Sequence, residues 1–237
     1  YRQTNDAYVR YGYYGNPNTK GDPNNAQSLV QNQDYADIDM QLMAGRAITG
    51  TISLPGNTTL PANGLPVTLG ALAEPNSLYH TTVTIPAGSQ SAGYTVRVAE
   101  DMGEVALGYW LPDNAPVGIR GYYRLAAAPD YVTGRYNLAD KETVGNDVVG
   151  KDFTLATGNT VGGTINLPEA ISRAVPIVVS LAADPAVPES RYWHTAVVVP
   201  GNSASTAYSR QIILDSPATM KFANNAEQAW VPQGFYL

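Results

Sequence analysis

The two histidines of the chain are the residues best suited to metal binding or acid–base catalysis. His80 and His194 each follow an aromatic residue and precede a threonine, and 194 − 80 = 114 residues separate them. An imidazole acts as a ligand or a base only where further ligands or carboxylates converge on it. Their equivalent surroundings favour two strand residues of a repeat over one shared site. Since the chain also has no cysteine, we predict neither an enzyme nor a cofactor.

Three carboxylates near the N-terminus form a second candidate site. Asp34, Asp37 and Asp39 could offer oxygen ligands to calcium, which binds several carboxylate and carbonyl groups. Asp37 and Asp39 also alternate with Ile38 and Met40, as the outward residues of a strand would. Both interpretations remain open, and the absence of EF-hand spacing favours a solvated strand face. We therefore predict no metal site.

Aromatic residues offer a third kind of chemistry, because the chain contains 16 tyrosines and 3 tryptophans. Exposed rings stack on sugars, as in a carbohydrate-binding module, or anchor protein interfaces. Asn57 begins an Asn-Thr-Thr sequon within a turn and is a candidate glycosylation site. Several rings recur at equivalent places, which favours packing in a core or at a junction: Tyr13–Tyr14, Tyr122–Tyr123 and Phe235–Tyr236.

The composition of the chain restricts its partners and its location. Charged residues make up 14% of the chain and the formal net charge is −6, which argues against nucleic acid as a partner. The sequence has no run of 18 apolar residues that could span a bilayer. A low-charge chain rich in Tyr, Ser, Thr and Asn is typical of microbial extracellular proteins. We predict a secreted, cell-surface location.

The candidate residues lie on a sequence unit that is written nearly twice. The segment from Ile48 to Pro55 reappears from Val161 to Pro168, and Tyr79-His80-Thr81 reappears as Trp193-His194-Thr195. A fixed period indicates an array of similar structural units. Apolar and polar residues alternate along both copies, which predicts half-buried strands, about seven in each unit, as in antiparallel immunoglobulin-like sandwiches. Further strands of the first unit are expected at residues 94–99, 104–110, 117–123 and 148–155.

The unit resembles a known family of repeats. It reads x-x-Gly-Thr-Ile-x-Leu-Pro, then Pro-Val-x-Leu, Thr-Val-x-Ile-Pro-x-Gly-x-x-Ser-x-x-Tyr, Gly-Tyr-Tyr and Asp-x-x-Leu. These motifs resemble tandem β-sandwich repeats of bacterial cell-surface proteins, which are similar to the carboxypeptidase regulatory-like fold. The resemblance implies a sandwich fold and an extracellular setting, and it transfers no catalytic residue.

The two copies of the unit differ in phase. The first repeat, predicted at residues 45–157, contains a final segment of residues 124–157. The second repeat, predicted at residues 158–237, stops before any counterpart of that segment. Residues 1–44, in contrast, precede the first repeat and resemble the missing segment. The predicted fold is therefore all-β, with two tandem sandwiches, the second of which is completed by an N-terminal arm (residues 1–44) from another chain.

The arm contains the predicted donor strand. Asp39–Gly45 matches Asp152–Gly158 with an offset of 158 − 45 = 113, so its apolar side chains are expected to enter the core of the acceptor. The predicted donor residues are Val9, Tyr13, Tyr14, Ile38, Met40 and Leu42. The predicted acceptor residues are Ile165, Val179, Val197, Phe222 and Phe235.

These features predict a structural subunit of an extracellular filament. A strand donated to an exposed sheet edge joins two chains, and a head-to-tail contact of this kind gives an open homopolymer. A fragment of a longer cell-surface repeat protein or adhesin stalk is one alternative, and a carbohydrate-binding module is another. The expected partner is a second copy of the chain, with surface glycans as a further candidate. Nucleic acid and a membrane span are not expected.

Overall fold

The computed structural model of the chain describes residues 26–36, 38–39, 43–56, 58–73, 77–128, 130–184, 186, 191–224 and 234–236. The predicted donor residues Val9, Tyr13, Tyr14, Met40 and Leu42, and the sequon residue Asn57, lie outside these ranges. The described residues form strands and three short 3₁₀ turns without an α-helix, which confirms the all-β fold class. No helix in this part of the chain is long and apolar enough to cross a membrane.

The first repeat contains nine strands in two sheets. They are β1 (Arg46–Ser53), β2 (Leu65–Ala73), β3 (Ser77–Ile85), β4 (Ser91–Val98), β5 (Glu104–Trp110), β6 (Arg120–Tyr123), β7 (Val132–Thr133), β8 (Lys141–Thr143) and β9 (Phe153–Thr154). One sheet has the order β4-β1-β9, and the other has the order β3-β2-β5-β6-β7 with β8 paired to β5. All neighbours in these sheets are antiparallel except β1 and β9, which are parallel.

Alternation along the strands builds the core between the two sheets of the first repeat. Ile48 and Ile52 on β1 are buried at 1% and 0% exposure, because every second side chain of a strand points to the same face. Phe153 on β9 stacks on Tyr109 of β5, with 5.7 Å between the ring centroids. This contact joins the two sheets, which form a sandwich.

The second repeat has the strand order of β1 to β6, and its described residues contain no counterparts of β7, β8 and β9. Its strands are β10 (Asn159–Ile171), β11 (Val175–Ala182), β12 (Arg191–Val199), β13 (Ser203–Ile212), β14 (Thr219–Asn224) and β15 (Gly234–Tyr236). They form a two-stranded sheet β10-β13 and a four-stranded sheet β12-β11-β14-β15. These sheets correspond to β1-β4 and to β3-β2-β5-β6 of the first repeat. Among the described residues, β9 has no counterpart beside β10.

Two strand predictions need correction. The strand expected over residues 148–155 is interrupted, because Gly150 has a positive φ of 70° and only β9 and a single bridge from Val148 to Ile48 remain. The strand expected from residue 117 begins only at Arg120. The amide of Gly118 instead donates to the carbonyl oxygen of Ala156 at 2.8 Å, outside any strand pairing.

Several polar contacts between the two repeats meet at Asp215. Asp215, which follows β13, accepts hydrogen bonds from Thr133, from Arg135 Nε at 2.7 Å and from the hydroxyl of Tyr192 at 2.6 Å. Burial alone would raise the pKa of Asp215, but the hydrogen bonds from Thr133 and Tyr192 and the charge of Arg135 outweigh it and lower the pKa. Thr133 and Arg135 belong to the first repeat, so Asp215 couples the stability of the two repeats.

We expect Asp215→Asn to destabilise the chain by about 1–2 kcal/mol at neutral pH. Hydrogen bonds to charged groups are strong, but the partial exposure of the Asp215 carboxylate reduces their contribution. A carboxyl group with a lowered folded-state pKa contributes stability above its unfolded-state pKa of about 3.9, and this is lost as the pH falls through the folded-state value. Thermal melts from pH 7 down to about pH 2 should therefore show a constant difference between the two proteins above about pH 3.9 and a shrinking difference below it. The control is Asp113→Asn, whose ion pair with Arg210 is more exposed and should matter less. A difference between wild type and Asp215→Asn that stays constant over this range would contradict the assignment.

Candidate functional site

An apolar groove runs along β10 in the second repeat. Its cavity of about 650 Å³ lies between β10 on one side and β11 and β14 on the other. One edge of β10 pairs with β13, and no described strand pairs with the other edge. The groove is lined by residues 160–167 of β10 and by Ile177, Val179, Tyr208, Met220 and Phe222. We call it the acceptor groove.

The same position in the first repeat is filled by residues 148–155. The amide of Thr49 donates to the carbonyl oxygen of Val148 at 2.9 Å, and the amide of Leu155 donates to the carbonyl oxygen of Ser53 at 2.7 Å. These bonds satisfy the edge of β1 that corresponds to the open edge of β10. Unpaired backbone groups at such an edge form a template for another strand. The first repeat thus shows which kind of segment completes the fold.

One edge contact in the first repeat uses a side chain in place of the backbone. The amide of Thr51 donates to Oδ1 of Asp152 at 2.6 Å. The carbonyl oxygen of Lys151 instead accepts a hydrogen bond from the hydroxyl of Tyr94, also at 2.6 Å. The sequence analysis did not predict this role for Asp152, and it considered the counterpart Asp39 only as a solvated strand residue or a calcium ligand. The available signal was that the acid recurs at both positions, with 152 − 39 = 113.

Apolar contacts in the first repeat centre on Phe153. Its ring lies 5.9 Å from that of Tyr94 and 6.3 Å from that of Tyr123, in addition to the stack on Tyr109. Phe153 is 3% exposed, and Leu155 two residues later is fully buried. Both side chains therefore act as core residues of the sandwich, although they come from its last segment.

The acceptor groove contains aromatic residues that correspond to those around Phe153 in the first repeat, but no described ring takes the place of Phe153 itself. By strand register, Tyr208 corresponds to Tyr94, since Gly163 pairs with Tyr208 as Gly50 pairs with Tyr94. Phe222 corresponds in the same way to Tyr109, through the pairing of β14 with β11 and of β5 with β2. Phe222 is 38% exposed whereas Tyr109 is fully buried. The groove is thus an aromatic pocket with an exposed wall.

A glycine in β10 has space that its counterpart in β1 lacks. A Cβ atom on Gly50 would collide with the carbonyl group of Lys151, so only glycine lets the final segment approach β1 there. In the second repeat, a Cβ atom on Gly163 would meet nothing closer than the hydroxyl of Tyr208, at 3.4 Å. Glycine occupies this position although the atoms nearest to its Cβ position all belong to the side chain of Tyr208.

The structure brings three of the five predicted acceptor residues together. Ile165, Val179 and Phe222 line the groove. Val197 is buried at 6% exposure on β12 and does not line it. Phe235 lies in β15, and the structure does not describe its side chain. Of the predicted donor residues, Ile38 is the one that the structure describes, and it is partly buried.

The two histidines lie on separate strands. His80 on β3 pairs with Gly70, and His194 on β12 pairs with Ser180, so each belongs to the equivalent strand of its own repeat. The described part of the chain contains no group of three or more His, Cys, Asp or Glu residues that could hold a metal ion. The acceptor groove is therefore the candidate functional site, and its chemistry is the recognition of an extended strand.

No protein-family model matches the chain, and no curated protein sequence matches it either. Among solved structures, a candidate adhesin from Bacteroides ovatus is 8% identical, with 79% of this chain and 81% of that chain covered and a TM-score of 0.29. The CBD12 domain of CALX1.2 is 10% identical, covering 75% and 73% of the two chains, with a TM-score of 0.24. The calcium-binding domain CBD12 of CALX1.1 is 9% identical, covering 75% and 80%, with a TM-score of 0.21. TM-scores this low do not establish a shared architecture.

Proposed function

We propose that this chain is a non-enzymatic structural subunit of an extracellular filament, in which the arm of one copy completes the second repeat of the next. The observation that carries the proposal is the acceptor groove, which lies where the first repeat holds residues 148–155. Residues 38–44 of the arm match the end of that final segment of the first repeat, and we call them the donor segment. Groove and segment are complementary halves of one fold.

The energetics of the open groove favour strand addition. An added strand supplies hydrogen bonds to the open edge of β10, which give affinity, while its side chains fill the pocket and give specificity. Met40 and Leu42 correspond to Phe153 and Leu155, both of which are core residues in the first repeat. Burying each apolar side chain contributes about 1.5–3 kcal/mol. A few such residues together with the main-chain bonds of the donated segment suffice for a stable contact.

The chain's own groove is out of reach of its donor segment. The segment leads directly into the start of β1 at Arg46. The second repeat instead begins with β10 at Asn159, four residues after Leu155, whose amide donates to Ser53 at the other end of β1. To reach its own groove, the segment would have to run back along the length of β1, which is about 23 Å at about 3.3 Å per residue. Arg46 follows Leu42 by only 46 − 42 = 4 residue steps, which span at most about 14 Å. The geometry therefore supports exchange between chains over closure within one chain.

The links before β1 and before β10 support a linear polymer. Gly45 and Gly158 precede these strands at equivalent positions, and both have a positive φ, of 65° and 75°. If the donor segment meets β1 as β9 meets β10, each junction between chains repeats the junction within a chain. A heterologous contact repeated in this way does not close and gives a filament.

The carbohydrate-binding alternative receives less support from the structure. Tyr79, Tyr109, Tyr122 and Tyr192 are among the most deeply buried side chains of the described residues, and Trp193 is 3% exposed. Rings that stack on sugars must be accessible, whereas these rings are part of the core. The low-charge composition continues to favour an extracellular setting for the proposed filament.

The proposal is tested by placing a charge in the donor segment of the full chain. We expect Met40→Asp or Leu42→Asp to weaken assembly strongly, because an unpaired charge in an apolar core costs several kcal/mol. Asp37→Ala serves as the matched control and should assemble like the unaltered chain. The measurements are sedimentation velocity and electron microscopy at equal concentration. Equal defects in all three variants would rule out the assigned face. A chain that stays monomeric at all concentrations would indicate a segment of a longer repeat protein, which fills the groove by other means.

A further inference from the structure

We propose that three contacts fix the register of the donated strand. The Asp39 carboxylate accepts the amide of Thr164, the Tyr208 hydroxyl donates to the carbonyl oxygen of Ile38, and Gly163 leaves room for that carbonyl group. This inference rests on the proposed function, since it assigns the residues that recognise the donor. It goes further because it fixes a parallel orientation and one alignment.

The first repeat contains all three contacts within one chain. Asp152 accepts the Thr51 amide at 2.6 Å, and the Tyr94 hydroxyl donates to the Lys151 carbonyl oxygen at 2.6 Å. The same carbonyl group lies against Gly50, where a Cβ atom would not fit. The three contacts therefore surround a single peptide group, at the place where the final segment turns its backbone away from β1.

The three contacting residues keep their identity in the second copy, whereas several of their neighbours change. Gly163, Tyr208 and Asp39 stand where Gly50, Tyr94 and Asp152 stand in the first repeat. Several surrounding residues differ between the copies: Phe153 becomes Met40, Tyr109 becomes Phe222 and Lys151 becomes Ile38, whereas Ile52 and Leu155 recur as Ile165 and Leu42. Core positions accept other apolar residues, but a backbone approach and two specific hydrogen bonds do not.

The groups that would form these contacts between chains are accessible in the described structure. Asp39 is exposed. The Tyr208 hydroxyl lies 3.2 Å from Sδ of Met220, a weak acceptor in comparison with a carbonyl oxygen. Thr164 is exposed on the open side of β10 and pairs with Ala207 of β13 along the other side. When the strand binds, the exposed Asp39 and Thr164 can exchange water for each other, and the Tyr208 hydroxyl can donate to a carbonyl oxygen in place of the Met220 sulfur.

A register contact is needed because the donor segment has a competing alignment. A slip of two residues would keep the same face inward and would place Asp37 where Asp39 belongs. The length of the link decides between them. Asp152 precedes Gly158 by 158 − 152 = 6 residues, and Asp39 precedes Gly45 by 45 − 39 = 6 residues. Only the alignment on Asp39 preserves this spacing.

The register can be measured by disulfide formation, since the chain has no cysteine of its own. In the first repeat Ser53 pairs with Thr154 in the parallel register, and the corresponding pair between chains is Asn166 and Gln41. We expect the full chain with Gln41→Cys and Asn166→Cys to give a ladder of covalent multimers on a denaturing gel after mild oxidation. The control, Ser53→Cys with Thr154→Cys, should form its disulfide within one chain. Filaments without a ladder would overturn the register while leaving strand exchange intact, whereas loss of filaments from the unaltered chain would overturn the proposed function itself.

Two further variants of the full chain test the contacts one at a time. Asp39→Ala should raise the concentration needed for assembly about tenfold to a hundredfold, whereas Asp37→Ala should change it by less than about twofold. Gly163→Ala should block assembly without lowering the melting temperature of the unassembled chain, because its Cβ meets nothing closer than 3.4 Å there. The reverse order of the two aspartate effects would establish the slipped alignment. Normal assembly of Gly163→Ala would show that the donor backbone does not pass this glycine.

Discussion

Removal of residues 1–44 should leave a soluble chain that no longer polymerises. The truncated chain keeps all strands from β1 to β15, so the first repeat should fold as before. Its second repeat loses the segment that would cover β10, and no remaining described segment pairs with that edge. We expect sedimentation velocity to show monomers at concentrations where the full chain gives filaments. Normal polymerisation of the truncated chain would show that the arm is not the donor.

The isolated arm peptide should stabilise the second repeat of the truncated chain. A ligand that binds only the folded state stabilises it by RT ln(1 + [L]/Kd), about 2.7 kcal/mol at a hundredfold excess over Kd. The melting transition of the second repeat should therefore rise with peptide concentration. The matched control is the same peptide with Leu42→Asp, which should give little or no shift. The wild-type peptide should also cap the groove of the full chain and so terminate its filaments.

Local patterns predicted most of the sheet, because alternation can be read from one segment at a time. The strands expected at residues 94–99 and 104–110 appear as β4 and β5. Alternation failed over residues 148–155, where Gly150 adopts a left-handed conformation that breaks the pairing. It also gave no sign of β7 and β8, which are two and three residues long and lie in the segment that differs most between copies.

The site could be predicted in outline but not in its contacts. The repeat located the groove, since a missing strand in one copy must leave its neighbours open. Asp152 accepts its hydrogen bond from Thr51, which is 101 residues away in the sequence. Asp215 accepts one from Thr133, which is 82 residues away. No local period encodes such pairs. Comparison of the two copies does encode them, because Asp39, Gly163 and Tyr208 repeat residues whose partners the first repeat shows.

The assembled filament should resist concentrated salt and yield only slowly to denaturant. Donated strands would join subunits through main-chain hydrogen bonds and through buried side chains at Met40 and Leu42, neither of which salt screens. Exposed ion pairs are the contacts that salt weakens, and charged residues are only 14% of this chain. Dissociation would require a strand to leave a packed sandwich, so its rate should resemble that of an unfolding reaction.

The measurement is electron microscopy and sedimentation after hours in about 2 M salt and, separately, in moderate denaturant, with Leu42→Asp as the control. We expect intact filaments in salt, because the screening length falls to about 3 Å at 1 M without weakening apolar burial. In denaturant we expect slow loss that follows the unfolding of the second repeat, since completing that core and joining the chains would be one process. Leu42→Asp should leave few filaments at the start, and those few should dissolve quickly. Rapid disassembly of the unaltered filament in salt alone would indicate a charge-held contact between complete domains, and strand exchange would then be the wrong mechanism.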